Sequence, residues 1–200
     1  MQDQSEQLLE DARRIEEGIP PLPQPSSTPA LVVVSGLPGS GKSYFCRRLA
    51  SRHPVALLES DALRKALFGQ PTHSPEESAR LFAATHYVLD RLLGAGISAL
   101  LDATNLREVH RRQLYDIADR HGAKLVLVSL RAPAAVVSER LAARARRADP
   151  ADLSDADLEV YERMRSQDEP IEGPHIVVDT SADIEPAMEA VLRELKEGRP

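Results

Sequence analysis

Lys42 and Ser43 close the run Gly36-Leu37-Pro38-Gly39-Ser40-Gly41-Lys42-Ser43, which fits the phosphate-binding pattern G-x-x-x-x-G-K-[ST]. Glycines in such a loop let consecutive backbone N–H groups turn inward around a phosphate. The helix that follows adds the partial positive charge of its N-terminus. In that chemistry Lys42 reaches the β- and γ-phosphates of ATP and the Ser43 hydroxyl ligates Mg²⁺. Gly36, Pro38, Gly39, Ser40, Gly41 and Tyr44 complete the expected nucleotide-binding set.

Further along the chain, Asp61 and Arg64 stand one helical turn apart in Ser60-Asp61-Ala62-Leu63-Arg64. A carboxylate there can orient and deprotonate a hydroxyl attacking the γ-phosphate, and the arginine can hold an anionic acceptor group through two parallel hydrogen bonds. Asp61 would serve equally well as a helix N-cap. Asp102 ends an apolar run and so takes the position of a carboxylate that holds Mg²⁺. Thr104 and Asn105, just beyond, suit either an acceptor contact or turn chemistry. Arg140, Arg144 and Arg147 recur at helical spacing with Arg146 beside them. They fit a lid that neutralises charge over a triphosphate and also a solvated charged face. Within the lid reading, Arg140 and Arg144 are the expected catalytic pair.

These residues need elements to hold them. Ala30 to Ser35 reads as a buried parallel strand. Tyr44 to Arg52 reads as a helix stopped by His53-Pro54, so strand, glycine loop and helix follow in the required order. Val55–Leu58, Ile97–Leu101, Lys124–Leu130 and His175–Asp179 read as four more strands. Between them Ser74-Pro75-Glu76-Glu77 opens a helix whose face carries Leu81, Thr85, Val88 and Leu92 and which ends at Gly94. A second runs from Glu108 to His121, stopped by Gly122, and a third from Pro133 to Arg147. Ser154 is expected to cap a helix toward Gln167, and Ile184 to Lys196 closes the chain. Such alternation implies a parallel sheet with helices on both faces, and ligands then sit beyond the carboxyl ends of the strands. Gly36, Asp61, Asp102 and Arg131 all fall at such ends. Thr180 and Ser181, after the last strand, are positioned to line a base pocket. His86 and His110 read as ordinary helix residues.

The 200-residue length and 42% apolar content fit one globular domain with a full core. Residues 1–29 differ in composition from the rest. Ser5 to Glu17 reads as a short charged helix, and Ile19 to Pro29 as an extended proline-rich arm or linker; the catalytic domain is expected over residues 30–200. No apolar run has the length of a membrane span, and the first residues lack a signal-peptide pattern, so a cytoplasmic location is expected. The single cysteine, Cys46, reads as a core residue. The net charge of −6 argues against a protein that coats nucleic acid.

The P-loop, Glu59-Ser60-Asp61-Ala62-Leu63-Arg64, Leu101-Asp102-Ala103-Thr104-Asn105 and the arginine-bearing helix occur in one order over Ala30 to Lys196. Together they resemble the P-loop kinase group that includes polynucleotide 5′-kinase domains, zeta-toxin-like kinases and chloramphenicol phosphotransferase. The resemblance implies a three-layer α/β/α P-loop NTPase fold of the nucleoside-monophosphate-kinase type, with a mainly five-stranded parallel sheet and an arginine-bearing helical lid. It further implies ATP- and Mg²⁺-dependent transfer to a hydroxyl. Asp61 would be the general base, Arg64 the acceptor-phosphate contact, and Arg140 or Arg144 the lid contact. Aromatics make up only 4% of the chain, which disfavours a polynucleotide acceptor; a small metabolite, a nucleoside or an antibiotic-like molecule fits at least as well. The competing class is an ATPase or nucleotide switch acting on a protein partner. Against a GTPase switch, no Asn-Lys-x-Asp tetrad is present, and Ala103 stands where motor ATPases carry a glutamate.

Overall fold

The structure, a computed structural model, describes residues 2–147 and 156–197. Its centre is β1 (Ala30–Ser35), in which every residue is buried. A strand buried on both faces needs no polar alternation, and the Val-rich run supplies none. Around it lie β2 (Ala56–Glu59), β3 (Ala99–Asp102), β4 (Lys124–Arg131) and β5 (Ile176–Asp179). The sheet is parallel throughout, in the order β2-β3-β1-β4-β5. The chain leaves β1 toward one edge and returns to its other side at β4, so the order reverses beside β1. That crevice is where an open α/β sheet binds its ligand.

Side chains of β1 alternate between two cores. Leu31 and Val33 face the layer built by α1 (Gln2–Gly18), α3 (Ser60–Phe68), α4 (Pro75–Gly94) and α5 (Glu108–Arg120). Val32 and Val34 face Phe45, Cys46 and Leu49 of α2 (Lys42–Ala50) and Met188, Val191 and Leu192 of α8 (Glu185–Lys196). A third, small cluster joins Val137 and Leu141 of α6 (Ala134–Arg147) to Tyr161 of α7 (Leu158–Arg165), with Leu37 of the loop packed against it. The α6–α7 pair is thus coupled to the P-loop rather than to the main cores. The three-layer α/β/α arrangement and five-stranded parallel sheet agree with the sequence reading.

Local chemistry sets the boundaries. The Ser74 hydroxyl accepts from the Glu77 N–H at the head of α4, with Pro75 at the first turn, and Leu81, Thr85, Val88 and Leu92 are all buried. Gly122 adopts φ 59° just past α5, the left-handed stop that a Cβ would resist. Several boundaries shift by one or two residues, and two changes alter the reading of a cap. β2 extends to Glu59, which becomes the residue preceding α3 and makes no side-chain cap. Asp61 therefore lies inside the first turn of α3 and is not its cap. The cap of α7 is Asp157, whose carboxylate accepts from the Val160 N–H at 2.9 Å; Ser154, expected in that role, lies outside the described residues.

The segment before β1 is packed onto the domain. Ala12 and Ile15 of α1 are fully buried against α3 and α4. The proline-rich stretch that follows has no regular secondary structure, and its Ser26 N–H donates to the Gly96 carbonyl at 2.8 Å.

Candidate active site

Gly39 and Gly41 carry φ values of 76° and 86°, a conformation that costs side-chain-bearing residues about 1 kcal/mol or more. Gly41 caps α2 and supplies no side-chain hydrogen bond to the first turn. The leading N–H groups of α2 are therefore left to an external anion. Gly36 is required for another reason: a Cβ there would meet the Leu130 carbonyl oxygen at 2.6 Å and Ser40 Oγ at 2.7 Å.

Lys42 reaches back across the loop, donating from Nζ to the Leu37 carbonyl at 3.1 Å. Burial lowers its pKa, and the charges of Asp102 and Asp61 oppose that shift. Asp102, 4% exposed at the end of β3, shows the mirror effect. Burial raises its pKa, while the Lys42 charge and a hydrogen bond from Ser43 pull it down. Each ion is held in a place that penalises its charge, and each relieves the other. The Ser43 hydroxyl and Asp102 carboxylate together form a hard-oxygen pair of the type that could hold Mg²⁺. The donor set fits that ion. Among the described residues no cluster of three or more His, Cys, Asp or Glu could hold a metal by itself.

Pro38, Gly39, Gly41, Lys42, Ser43 and Tyr44 line a cavity of about 1270 Å³ that continues past Asp102 to Asp61 and Arg64. The same cavity is also lined by Ser78, Leu81, Phe82 and His110. Arg64 is 9% exposed. Its Nη2 donates to Ser78 Oγ at 3.1 Å and its Nη1 lies 3.6 Å from Glu77, yet Nη1 makes no hydrogen bond. Nη1 is therefore ion-paired to Glu77 without a hydrogen bond and keeps donor capacity toward the cavity. Phe82 stacks with His110 at 5.6 Å between centroids and with His86 at 6.4 Å. Glu77 accepts from the backbone N–H groups of Thr72 and His73 and so fixes the rim loop before α4.

The two lid arginines divide. Arg144 lines the main cavity, and its charge is felt at Lys42. Arg140 points elsewhere, donating to the Gly39 carbonyl at 3.2 Å and to Thr180 at two atoms. Thr180 in turn donates to the Ser40 carbonyl at 2.8 Å. The expected base-pocket threonine is thus a brace on the outer side of the P-loop. Gly36 and Ser40 face a second, smaller cavity of about 320 Å³ with Arg131 and Tyr161. Asn105 is buried at φ 44° and donates to the Val34 carbonyl at 2.7 Å. Turn chemistry accounts for it, and with the Gly36 N–H donating to the Thr104 carbonyl it stitches the end of β3 to the root of the P-loop.

Sequence reading overlooked Arg111. It is fully buried and donates to the carbonyls of Asn105, Leu106, Glu169 and Pro170 and to Glu108. It pins the 169–170 segment, which lines the smaller cavity with Gly36 and Ser40. The signal was present: Arg111 shares a helix face with Leu114 and Ala118, and a cation on an apolar face must find buried partners.

A P-loop between β1 and α2, set at the reversal point of a parallel sheet with a Lys42–Asp102–Ser43 constellation inside it, defines a P-loop nucleotide-binding protein of kinase-type fold. Residues 31–171 match the AAA domain family AAA_33, and the chain belongs to that family. Solved structures share the fold. Kti12 of Chaetomium thermophilum in complex with ADP-AlF3 is similar at TM-score 0.66 and 21% identity, over 82% of this chain and 98% of that one. The APS kinase CysC of Mycobacterium tuberculosis in complex with AMPPNP and APS gives 0.61 and 22%, over 87% and 100%. A gluconokinase from Sinorhizobium meliloti 1021 gives 0.59 and 22%, over 86% and 94%.

Proposed function

We propose that this protein is an ATP- and Mg²⁺-dependent phosphotransferase that moves the γ-phosphoryl group of ATP to a hydroxyl of a small anionic acceptor. One observation carries the reading. A single cavity runs from the P-loop lysine through Asp102 to a carboxylate, Asp61, and a buried guanidinium, Arg64, on the facing helix. A nucleotide site alone has no use for that second half. The fold shared with a gluconokinase and an APS kinase supports the class, and nucleotide complexes of Kti12 and CysC support ATP as donor.

In this reading the α2 N-terminus and Lys42 hold the β- and γ-phosphates, and Arg144 approaches them from the lid. Ser43 and Asp102 hold Mg²⁺, which supplies charge neutralisation on the phosphate oxygens. Arg64 grips the acceptor's anionic group and so aims its hydroxyl at the γ-phosphorus. The acceptor oxygen bonds to that phosphorus as its bond to the β–γ bridging oxygen breaks. Asp61 takes the hydroxyl proton, and ADP leaves. Residues 30–200 form the catalytic domain and residues 1–29 an accessory arm. An ATP-dependent transferase of this kind works where ATP is held, in the cytoplasm.

The test is transfer of labelled γ-phosphate from ATP, with Mg²⁺, to hydroxyl acceptors with and without an anionic group, using Lys42→Ala as the blank. The pool comprises sugar acids, phosphorylated sugars, nucleotides, 5′-hydroxyl oligonucleotides and their neutral counterparts. Labelled product confined to anionic acceptors is expected. Free phosphate alone, unaffected by every acceptor, would replace this reading with an ATPase.

A further inference from the structure

α1 lies outside the residues that define the family, 31–171, yet it packs on the two helices that build the acceptor half of the cavity. We infer that Asp11 of α1 is a positioning residue for the acceptor site, acting through Arg80; the role in acceptor binding rests on the function proposed above.

Asp11 is 1% exposed, an unusual place for a carboxylate on a surface helix. It accepts from Arg80 at both oxygens, Nε at 3.0 Å and Nη2 at 2.8 Å, and from Gln7 at 3.0 Å. The geometry is the planar two-point match that fixes a guanidinium in direction as well as place. Arg80 then lies over the ring of Phe68, 5.1 Å from its centroid. Phe68 ends α3 and Arg80 sits in the second turn of α4. One carboxylate therefore ties α1, α3 and α4 together at a single point.

That point is adjacent to the acceptor residues. Arg64 is one turn before Phe68 on α3. Ser78, which receives the Arg64 hydrogen bond, is two residues before Arg80 on α4. Asp61 and Phe82 complete the same two helices. The nucleotide half, built from the P-loop, α2 and the end of β3, has no contact with Asp11 or Arg80 among the described hydrogen bonds and ion pairs. Loosening the tie should free the acceptor wall and leave the nucleotide half as it was. A carboxamide at position 11 keeps the volume but loses the charge and one acceptor oxygen.

The test uses the full chain as wild type, Asp11→Asn and Arg80→Gln, with Asp11→Glu as the conservative control. The second variant covers the case in which the first fails to fold, since Arg80 is 42% exposed. Amide hydrogen exchange is read by mass spectrometry, and ADP affinity by calorimetry. The expected result is a tenfold or greater acceleration of exchange across residues 60–82, ADP affinity within about twofold of wild type, and partial recovery with Asp11→Glu. Exchange that rises evenly through the P-loop helix and the sheet would mean a general structural role and overturn the inference. Unchanged exchange in residues 60–82 would overturn it too. Neither readout needs phosphotransfer: variants that show the local effect, in a protein whose wild type binds ADP but transfers to no acceptor, would sink the proposed function and leave the tie standing.

Discussion

The guanidinium of Arg140 donates to Thr180 at two atoms, 2.8 Å to Oγ1 and 2.6 Å to the carbonyl oxygen. The lid helix is thereby fastened to the loop after β5, and through the Thr180 hydroxyl to the carbonyl of Ser40 in the P-loop. Thr180→Val keeps the side-chain volume and deletes the hydroxyl's contacts with Arg140, the Ser40 carbonyl and the Arg131 carbonyl. Hydrogen bonds to charged groups are worth about 1.5–3 kcal/mol, part of which sets the loop conformation. The expected result is a three- to tenfold rise (order of magnitude) in the Kd for ADP, measured by calorimetry. An unchanged Kd would show that the loop holds its form without this brace.

Asp61 and Lys42 separate two halves of one reaction. Under the proposed mechanism Asp61→Asn preserves size and removes the proposed proton acceptor, so kcat should fall by about 10²–10⁴ with ADP affinity unchanged. Lys42→Ala should abolish both transfer and tight nucleotide binding. Full activity in Asp61→Asn would move the base assignment to another group.

The chain announced some of this and concealed the rest. The P-loop, the strand-end carboxylate Asp102 and the alternation of strands and helices are local patterns, each fixed by a few neighbouring residues. Ser43 and Asp102 meet because the loop after β1 brings the head of α2 beside the carboxyl end of the neighbouring strand β3, so their encounter follows from the sheet order. The partition of Arg140 from Arg144 does not follow from spacing. They stand at i and i+4 on one helix, and Arg140 is drawn to the Gly39 carbonyl and Thr180, contacts that form only once the chain has folded. Asp11 and Arg80 are 69 residues apart, with no local signal linking them.

Arg111 carries a stability prediction. Arg111→Met fills similar space but deletes five hydrogen bonds; the Asn105 carbonyl keeps the Ser35 hydroxyl and the Leu106 carbonyl keeps the Glu169 N–H, while the carbonyls of Glu169 and Pro170 lose the donor described for them. Buried polar groups left unpaired cost about 1–3 kcal/mol each, and the carbonyls near the surface will find water, so a net loss of about 3–5 kcal/mol is expected. For a chain of this length that is a drop of about 6–20 °C in Tm, read by calorimetry. A change below a few degrees would show that the 169–170 segment is held by other contacts.

A pH dependence follows from the imidazoles beside the acceptor wall. Burial lowers the pKa of His86, with the neighbouring His110 adding to the effect, and burial and then Arg107 lower that of His110. Below the ordinary value of about 6.5 the unfolded chain takes up protons that the folded one refuses. Stability should therefore fall as pH drops through that value, and the loss is complete once pH is beneath the folded values. Glu77, whose pKa is lowered chiefly by the Thr72 N–H, adds its own loss only in the more acid range below about 4.5. Between pH 7.5 and 5.5, His86→Gln should lose less Tm than wild type; parallel curves would exclude the imidazole as the cause.

The docking of α1 imposes an order in time. This helix is synthesised before the residues it rests on, and its last partner, α4, is complete only when the chain has been extended to Gly94. At ribosomal rates of about 5–20 residues per second the wait is roughly 4–15 s. Throughout it the segment must stay soluble and resist sticking to strands still searching for their neighbours. Its composition suits that interval: Arg14 and Glu10, and Arg13 and Glu17, pair at i,i+4 on its own surface. Only a narrow stripe around Ala12 and Ile15 awaits burial. The tie through Asp11 can then close last, over an acceptor wall that has already formed.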